Sequence, residues 1–183
     1  MTSRVDAGLL TICVTGPEST GKTTLARRLG EQLSVEWVPE ASRLYAERIG
    51  RDLSVIDVEP IAREHIALAD AARARAIGVG ASVLVLDTDL ASTVVYGKHY
   101  YDVAVPWLDA ALVERRADLY LLCDTDVPWV ADGIRDAPAH RDEVFASFGE
   151  TLRRMNARVE VIRGQWKTRW SQAWEIVGRT VGQ

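Results

Sequence analysis

The sequence predicts an α/β protein: a five-stranded parallel sheet with helices on both faces and a lid between the fourth and fifth strands. The first observation is the pattern Gly-x-x-x-x-Gly-Lys-Thr at residues 16–23, which follows an apolar run at 9–14 and precedes a helical pattern starting at Leu25. A strand before this pattern and a helix after it are the context of a phosphate-binding P-loop. The second observation is that strand and helix patterns alternate along the rest of the chain. Together they predict the P-loop NTPase fold.

The length and composition of the chain limit its class. Its 183 residues fit one domain, so we expect residues 1–183 to form a single P-loop domain. The net charge of −4 gives no basic footprint for nucleic acid, and no apolar stretch approaches the ~18 residues of a membrane-spanning helix. Cys13 and Cys123 lie in apolar runs without metal-ligand spacing, which indicates reduced thiols. We therefore expect a cytoplasmic protein that binds neither nucleic acid nor membrane.

The first predicted helix and the second strand follow directly from the P-loop. Residues 24–34 carry leucine at every fourth position, which is the spacing of one helix face packed against a sheet. Residues 35–38 form a short strand, and Pro39 stops it directly before Glu40. Glu40 therefore lies at the carboxyl end of a strand, where open parallel sheets place ligand groups.

Two helices are predicted before the third strand. Residues 41–49 read as helix, and residues 59–77 form a long helix that begins with an acid–proline pair. Residues 82–87 are a continuous apolar run that ends in a carboxylate, as expected for a strand buried on both faces of a parallel sheet. Asp87 is therefore a candidate for the Walker B carboxylate.

The second half of the chain continues the alternation and contains the predicted lid. A charged segment, with the lid at about residues 128–142, separates the fourth strand from the fifth. The final helix carries a stripe of three tryptophans, at every fourth position from Trp166 to Trp174, which favours packing in a core or an interface over a ligand platform. The other predicted elements are a helical then aromatic stretch at 90–101, a helix at 106–116, a strand at 118–124, a helix ending near residue 155 and a strand at 159–162.

The P-loop predicts a site for a nucleoside triphosphate. Its backbone N–H groups point at phosphate oxygens, with the positive end of the next helix behind them. Lys22 would reach the β- and γ-phosphates, and the Thr23 hydroxyl would coordinate Mg²⁺. The residues that we expect to bind ATP are Gly16, Glu18, Ser19, Thr20, Gly21, Lys22, Thr23 and Thr24, with Arg135 and Arg141 from the lid.

The rest of the sequence argues against two classes of nucleotide-hydrolysing protein. A GTPase would show an Asn-Lys-x-Asp stretch that reads guanine, and the sequence has none. A mechanical ATPase commonly follows its Walker B aspartate with a glutamate that activates water, whereas Asp87 is followed by Thr88 and Asp89. Hydrolysis is therefore not favoured.

A small-molecule kinase needs three further groups, and each has a candidate. Glu40 is the candidate base for the acceptor hydroxyl, although a solvated glutamate at a helix start fits the pattern equally well. Asp87 is the candidate support for Mg²⁺, and Asp89 would do the same or bind substrate, although it could simply cap the next helix. Arg135 and Arg141 are the candidate mobile arginines, although surface arginines are common.

Four segments together resemble the ribosylnicotinamide kinase domain of the NadR family. They are Gly-Pro-Glu-Ser-Thr-Gly-Lys-Thr-Thr at 16–24, Pro-Glu-Ala-Ser-Arg at 39–43, Leu-Asp-Thr-Asp at 86–89 and Pro-Trp-Val-Ala-Asp-Gly-Ile-Arg at 128–135. Their order and spacing match, over nearly the whole chain. The resemblance implies a kinase that uses ATP and Mg²⁺ to phosphorylate the 5′-hydroxyl of nicotinamide riboside, giving nicotinamide mononucleotide. The residues that we expect to bind the acceptor are Glu40, Asp89, Arg43, one helical turn after Glu40, and Tyr100, which falls where the family has a Tyr.

The chain also departs from that family. NadR proteins carry an adenylyltransferase domain, for which this chain has no room, so a stand-alone kinase is expected. The family often has Trp before the residue that matches Glu40, an aromatic suited to stacking on nicotinamide, and this chain has Pro39, so the specificity for the nucleobase is open. Tyr100, Trp37 or Trp107 could still supply a stacking face, although we expect the two tryptophans to pack in the core or on the surface. Kinases of another nucleoside or small alcohol, a regulatory NTP-binding module and a simple ATPase stay open as alternatives. The sequence does not specify the oligomeric state.

Overall fold

The computed structural model describes residues 8–129 and 140–182 and contains one five-stranded sheet. The strand order is β2-β3-β1-β4-β5, and all four pairings are parallel. This confirms the predicted sheet. The strands are β1 (Leu10–Thr15), β2 (Trp37–Val38), β3 (Val83–Asp87), β4 (Leu119–Cys123) and β5 (Val159–Ile162).

Helices connect the strands and cover both faces of the sheet. A 3₁₀ turn at Val55–Asp57 leads into the longest of them. The helices are α1 (Lys22–Leu33), α2 (Ala41–Ile49), α3 (Val58–Gly78), α4 (Leu90–Tyr101), α5 (Leu108–Glu114), α6 (Arg141–Arg154) and α7 (Trp166–Val181).

The core has two parts because successive side chains of a strand point to opposite faces of the sheet. Val83 and Val85 of β3 face α1 and α7, where Leu25 and Leu29 pack. The alternate residues of β3, Leu84 and Leu86, face the helices α3, α4, α5 and α6. Every residue of β3 is buried, which confirms the prediction of a strand covered on both sides.

Three elements differ from their predicted boundaries by two residues, and the other differences are smaller. The helix α1 begins at Lys22 rather than at residue 24, so the P-loop lysine is its first residue. The strand β2 has two residues rather than four. The helix α5 begins at Leu108 because Pro106 and Trp107 form a turn, closed by the bond from Leu108 N–H to the Val105 carbonyl.

The predicted tryptophan stripe lies along α7. Trp166 and Trp170 pack at the edge of the core on the α1 side, and the Arg28 guanidinium lies 4.3 Å from the centre of the Trp170 ring. Trp174 stacks on Trp170 and is 41% exposed. The three tryptophans therefore pack against the core and each other, as predicted, rather than forming a ligand platform.

The other two tryptophans considered for base stacking also pack elsewhere. Trp37 packs at the edge of the core near α1. Trp107 packs against the opposite core, and its indole N–H donates to Glu59. Among the described residues, no helix combines the length and the apolar character needed to cross a membrane.

Candidate active site

The P-loop fills the space between β1 and α1 at the carboxyl edge of the sheet. Gly16 has φ 132°, and a Cβ there would lie 2.6 Å from the Cys123 carbonyl oxygen, so only glycine fits against the end of β4. Gly21 has φ 81° and caps α1. The backbone conformation of the loop therefore depends on both glycines.

The side chains of the loop are tied to its own backbone. The Thr20 hydroxyl and the Lys22 ammonium both donate to the Pro17 carbonyl, each at 2.7 Å. Lys22 is buried, whereas Thr23 and Thr24 are exposed at the start of α1. The loop thus holds its ammonium group inside the curl and is followed by two solvent-accessible threonines.

A buried carboxylate faces this loop from β3. Asp87 is 1% exposed, and burial and then the charge of Glu40 raise its pKa to about 6. Thr23, Lys22 and Arg43 act in the opposite direction and lower that pKa. Within the described part of the chain, neither Asp87 oxygen has a partner with full hydrogen-bond geometry, although the Thr23 hydroxyl lies near it. A buried carboxylate of this kind is suited to binding a cation.

Glu40 lies next to Asp87 rather than in solvent. It is the N-cap residue of α2 and is 8% exposed. The Ser42 hydroxyl donates to one of its carboxylate oxygens at 2.6 Å. Since Glu40 and Arg43 both act on the Asp87 carboxyl, the structure brings together the predicted base, the predicted metal-binding carboxylate and Arg43.

Asp89 is bonded to the protein at both carboxylate oxygens. One oxygen accepts from the Ala91 N–H at 2.9 Å and caps α4, and the other accepts from the Tyr120 hydroxyl. Burial raises the Asp89 pKa to about 6. Thr88, between the two aspartates, has φ 67°, a strained conformation for a β-branched residue that turns the chain from β3 into α4. A catalytic or substrate-binding role of Asp89 stays a prediction.

The helix α4 is bonded to the P-loop through Glu18. This buried glutamate accepts hydrogen bonds from Tyr96 at 2.9 Å and from Tyr100 at 2.6 Å. The two rings stack with centroids 5.8 Å apart. Both tyrosines also line a small cleft between α2, α3 and α4, together with Ser42. Tyr100, a predicted acceptor-binding residue, therefore joins the loop to this cleft.

Of the predicted lid arginines, the structure describes one. Arg141, the first residue of α6, is buried and donates to the Val127 carbonyl at 3.0 Å and to the Ser19 carbonyl at 3.4 Å. Its Nε has no partner among residues 8–129 and 140–182. Arg135 lies outside the described residues, as does most of the predicted lid. Its role stays a prediction.

A second buried arginine supports the loop, and sequence reasoning missed it. Arg169 of α7 is 2% exposed. It donates to the carbonyls of Gly164 at 2.7 Å, Asp124 at 2.8 Å and Thr20 at 3.3 Å, and it pairs with Asp126. In the sequence it stands between tryptophans on an amphipathic helix, where a charge predicts a solvated position.

Comparison with known proteins identifies the family. Residues 11–169 match the profile of the family described as AAA domain. The chain belongs to the AAA-domain family. It is also 29% identical over 180 residues to the trifunctional NAD biosynthesis/regulator protein NadR of Escherichia coli strain K12, and equally to that of Salmonella typhimurium. Both matches cover 94% of this chain and 43% of the relative, which confirms the resemblance carried by the four segments.

Solved structures share the fold of this AAA-domain chain. A NadR protein in complex with NR superposes with a TM-score of 0.83 at 24% identity, over 96% of this chain and 52% of that one. A NadR protein in complex with NAD and AMP-PNP gives 0.76 at 21% identity, over 96% and 50%. Thymidylate kinase from Ehrlichia chaffeensis gives 0.68 at 14% identity, over 93% and 99%. The chain thus spans about half the length of the NadR proteins it matches.

Proposed function

We propose that this chain is an ATP-dependent kinase that phosphorylates the 5′-hydroxyl of a nucleoside, and that the nucleoside is nicotinamide riboside. The observation that carries the proposal is the pair of buried carboxylates, Glu40 and Asp87, placed beside the P-loop lysine. Asp87 is suited to binding a cation, and Glu40 is suited to accepting the proton of a hydroxyl group. Besides holding the phosphates, a kinase site must do both.

The nucleotide would bind on the P-loop. Its phosphate oxygens would accept hydrogen bonds from the backbone N–H groups at the start of α1. The Lys22 ammonium would leave the Pro17 carbonyl and donate to the β- and γ-phosphates instead. Arg141, buried against Ser19 with its Nε unbonded in the described structure, is close enough to the loop to contact a phosphate from the lid side. Arg135 would add a second lid contact.

Thr23 and Asp87 fit a Mg²⁺ ion. The two buried Asp87 oxygens support this, because they lie next to the Thr23 hydroxyl and have no well-formed hydrogen bond in the described structure. Mg²⁺ usually takes one or two protein ligands and completes its shell with phosphates and water, so a denser carboxylate cluster is not required. When bound, the ion would neutralise charge on the phosphates.

Glu40 would act on the acceptor. Its carboxylate would accept the proton of the 5′-hydroxyl as that oxygen forms a bond to the γ-phosphorus and the bond from this phosphorus to the β,γ-bridging oxygen breaks. The products are ADP and the nucleoside 5′-phosphate. The Ser42 hydroxyl, bonded to Glu40 at 2.6 Å, would hold the carboxylate in place during this step.

The acceptor would enter the cleft between α2, α3 and α4. Ser42 lies at its inner wall, near Glu40, and Tyr96 and Tyr100 form another wall. The cleft volume of about 40 Å³ is well below the roughly 300 Å³ of a typical ligand pocket. Nucleoside binding would therefore widen it. Tyr100, which is 37% exposed, is the member of the wall that can swing out and stack on the base.

The choice of nicotinamide riboside rests on the relatives. A NadR protein has been crystallised with NR and another with NAD and AMP-PNP, and the curated relatives are named for NAD biosynthesis. At position 39 this chain has proline, whereas the NadR family often has tryptophan there. The identity of the acceptor is therefore tested directly with a panel of nucleosides.

The test is to incubate the protein with ATP, Mg²⁺ and a panel of nucleosides and to weigh the products. We expect nicotinamide mononucleotide and ADP in equal amounts. Phosphorylation of a different nucleoside alone would keep the kinase and overturn the acceptor. ADP and inorganic phosphate without a phosphorylated nucleoside would indicate an ATPase, and no turnover at all would favour a regulatory NTP-binding module.

A further inference from the structure

A second cavity lies between α3 and α5, on the face of the sheet away from α1. Its volume is about 320 Å³, within the range of pockets that hold small ligands. Leu84 and Leu86 of β3 form its floor, and Leu112 of α5 lines a side. We call it the α3–α5 cavity. Its apolar floor suits the body of a small organic molecule.

The cavity opens at the amino edge of the sheet, and its mouth is basic. Arg73 donates to the hydroxyl of Thr11, near the start of β1, at 2.8 Å. Arg115 pairs with Asp70 at 2.6 Å. Arg116, which is half-buried just before β4, makes no ion pair with any residue that the structure describes. The mouth is thus lined by three guanidinium groups and by two carboxylates, Asp70 and Glu114. This excess of positive charge favours an anionic group.

At the inner end of the cavity, none of the side chains that the structure describes is positively charged. His65 lines it and is 5% exposed, and burial lowers the pKa of this imidazole to about 4, so the ring is neutral at physiological pH. The Asp89 carboxylate at this end is already bonded to Ala91 and Tyr120. The cavity is therefore basic at the mouth, apolar along the floor and without positive charge at its inner end.

This cavity is separate from the P-loop and from the cleft beside Tyr100, and it meets the predicted site residues only at Asp89, at its inner end. None of the P-loop residues lines it, and its basic mouth lies at the edge of the sheet opposite to Lys22. It shares no lining residue with the cleft beside Tyr100. A molecule held at the basic mouth of the α3–α5 cavity would therefore not displace a nucleotide bound on the P-loop.

We propose that the α3–α5 cavity is a second ligand site, which binds a small organic anion with its charged group at Arg73, Arg115 and Arg116 and its apolar body on Leu84 and Leu86. A phosphate monoester and a carboxylate of similar size share the required chemistry. The proposal concerns a site beyond the kinase function and does not depend on that function.

Phenyl phosphate and benzoate are suitable probes because each joins an aromatic ring to an anionic group. Their binding is measured by isothermal titration calorimetry with Mg²⁺ and saturating AMP-PNP, which keeps the probes off the P-loop. Benzyl alcohol, uncharged and of similar size, serves as the comparison. We expect both anions to bind and benzyl alcohol to bind about tenfold more weakly, since charge-assisted hydrogen bonds are lost.

Two variants locate the binding, and a third is the control. Ala69→Phe puts a ring into the cavity from α3 and should abolish binding of both anions, and Arg116→Gln should weaken it about tenfold while sparing any binding of benzyl alcohol. Arg63→Gln, also on α3 but in an exposed pair with Glu59, should change nothing. Circular dichroism shows whether Ala69→Phe is folded. If it is not, the affinity of Arg116→Gln for the anions tests the site alone, because this half-buried edge position tolerates replacement.

Four results would overturn the proposal. The first is anion binding that disappears when AMP-PNP is present. The second is anion binding that is unchanged in Arg116→Gln and in a folded Ala69→Phe, and the third is equal affinity for phenyl phosphate and benzyl alcohol. Absence of any anion binding would overturn it as well.

Discussion

Among single residues, the two carboxylates Glu40 and Asp87 carry most of the proposed chemistry, and burial is what distinguishes them from ordinary surface acids. Asp87 is held with a raised pKa, close to a positive lysine and arginine, while Glu40 is fixed by the Ser42 hydroxyl. A carboxylate without water around it acts more strongly on a nearby cation or hydroxyl. The sequence suggested both residues, but their burial follows from the fold.

The replacement Glu40→Gln tests the base. Glutamine keeps the size and can still accept the Ser42 hydrogen bond, but it cannot take a proton. Turnover should fall about a hundredfold or more, while ATP affinity stays near normal. The measurement is single-turnover transfer to nicotinamide riboside across pH. Glu47→Gln, exposed on the same helix, is the control. Equal rates with the same pH profile for Glu40→Gln and the native protein would exclude Glu40 as the base and leave Asp89 as the candidate.

Lys22→Ala tests the P-loop. The ammonium group would neutralise charge on the β- and γ-phosphates, and its removal should slow transfer by a factor of about a thousand or more, at ~1.4 kcal/mol of barrier for each factor of ten. The fold should survive because the hydrogen bond of the Lys22 ammonium is local, to the Pro17 carbonyl of the same loop. Lys98→Ala, at an exposed position of α4, controls for loss of a charge. A Lys22→Ala protein with most of its activity would remove the P-loop from the mechanism.

Among the elements, the segment between β4 and α6 is where closure over the phosphates is expected. Arg135→Ala should lower the turnover number more than it weakens ATP binding, because a lid arginine meets the phosphoryl group chiefly in the closed state. Stopped-flow kinetics and calorimetric ATP affinity separate the two effects. Arg154→Ala, exposed on α6, is the matched control. An unchanged turnover number for Arg135→Ala would place that arginine outside the mechanism.

His65 of the helix α3 makes the unfolding free energy of the protein depend on pH. Burial, with a smaller effect of Arg115, lowers the pKa of His65 from 6.5 to about 4, although the Glu40 charge opposes this. The unfolded chain therefore binds the proton more readily than the folded one, so stability is lost as pH falls from about 6.5 to about 4.

His65→Gln should remove this loss because glutamine does not titrate. Over that pH range the native protein should lose roughly 3 kcal/mol more unfolding free energy than the variant. The measurement is urea denaturation of both proteins at several pH values, with His140→Gln, at an exposed position, as the control. Parallel stability curves for the native protein and His65→Gln would show that the imidazole titrates alike in the folded and unfolded states.

Across the whole molecule, the sequence predicted what depends on local pattern. The five strands, the burial of β3 and the P-loop turn are encoded within short stretches, where apolar runs and glycines specify the backbone. The contacts it did not predict join residues far apart in the chain. Glu18 and Tyr100 are 82 positions apart, and Asp89 and Tyr120 are 31 apart. Such pairs depend on how helices pack across the sheet, which a single sequence does not display.

Arg169 of α7 bonds to segments that lie far apart in the chain. Replacing it therefore tests how the packing of the whole molecule supports the P-loop. Its guanidinium bonds the carbonyls of Thr20, Asp124 and Gly164 at once, so one side chain from the end of the chain holds the loop near its beginning. Arg169→Met keeps the apolar stem and leaves these carbonyls without their donor. We expect unfolding free energy to fall by about 3 kcal/mol, and ATP affinity to fall about tenfold as the loop loosens.

The matched control is Arg163→Met. Arg163 also pairs with Asp124, but its side chain is 64% exposed, so its removal should cost less than about 1 kcal/mol. Urea denaturation and calorimetric titration with AMP-PNP measure the two effects on both variants. A loss of stability with unchanged nucleotide affinity in Arg169→Met would mean that α7 holds the fold but not the shape of the P-loop. Equal behaviour of the two variants would mean that the buried bonds of Arg169 contribute no more than a surface ion pair.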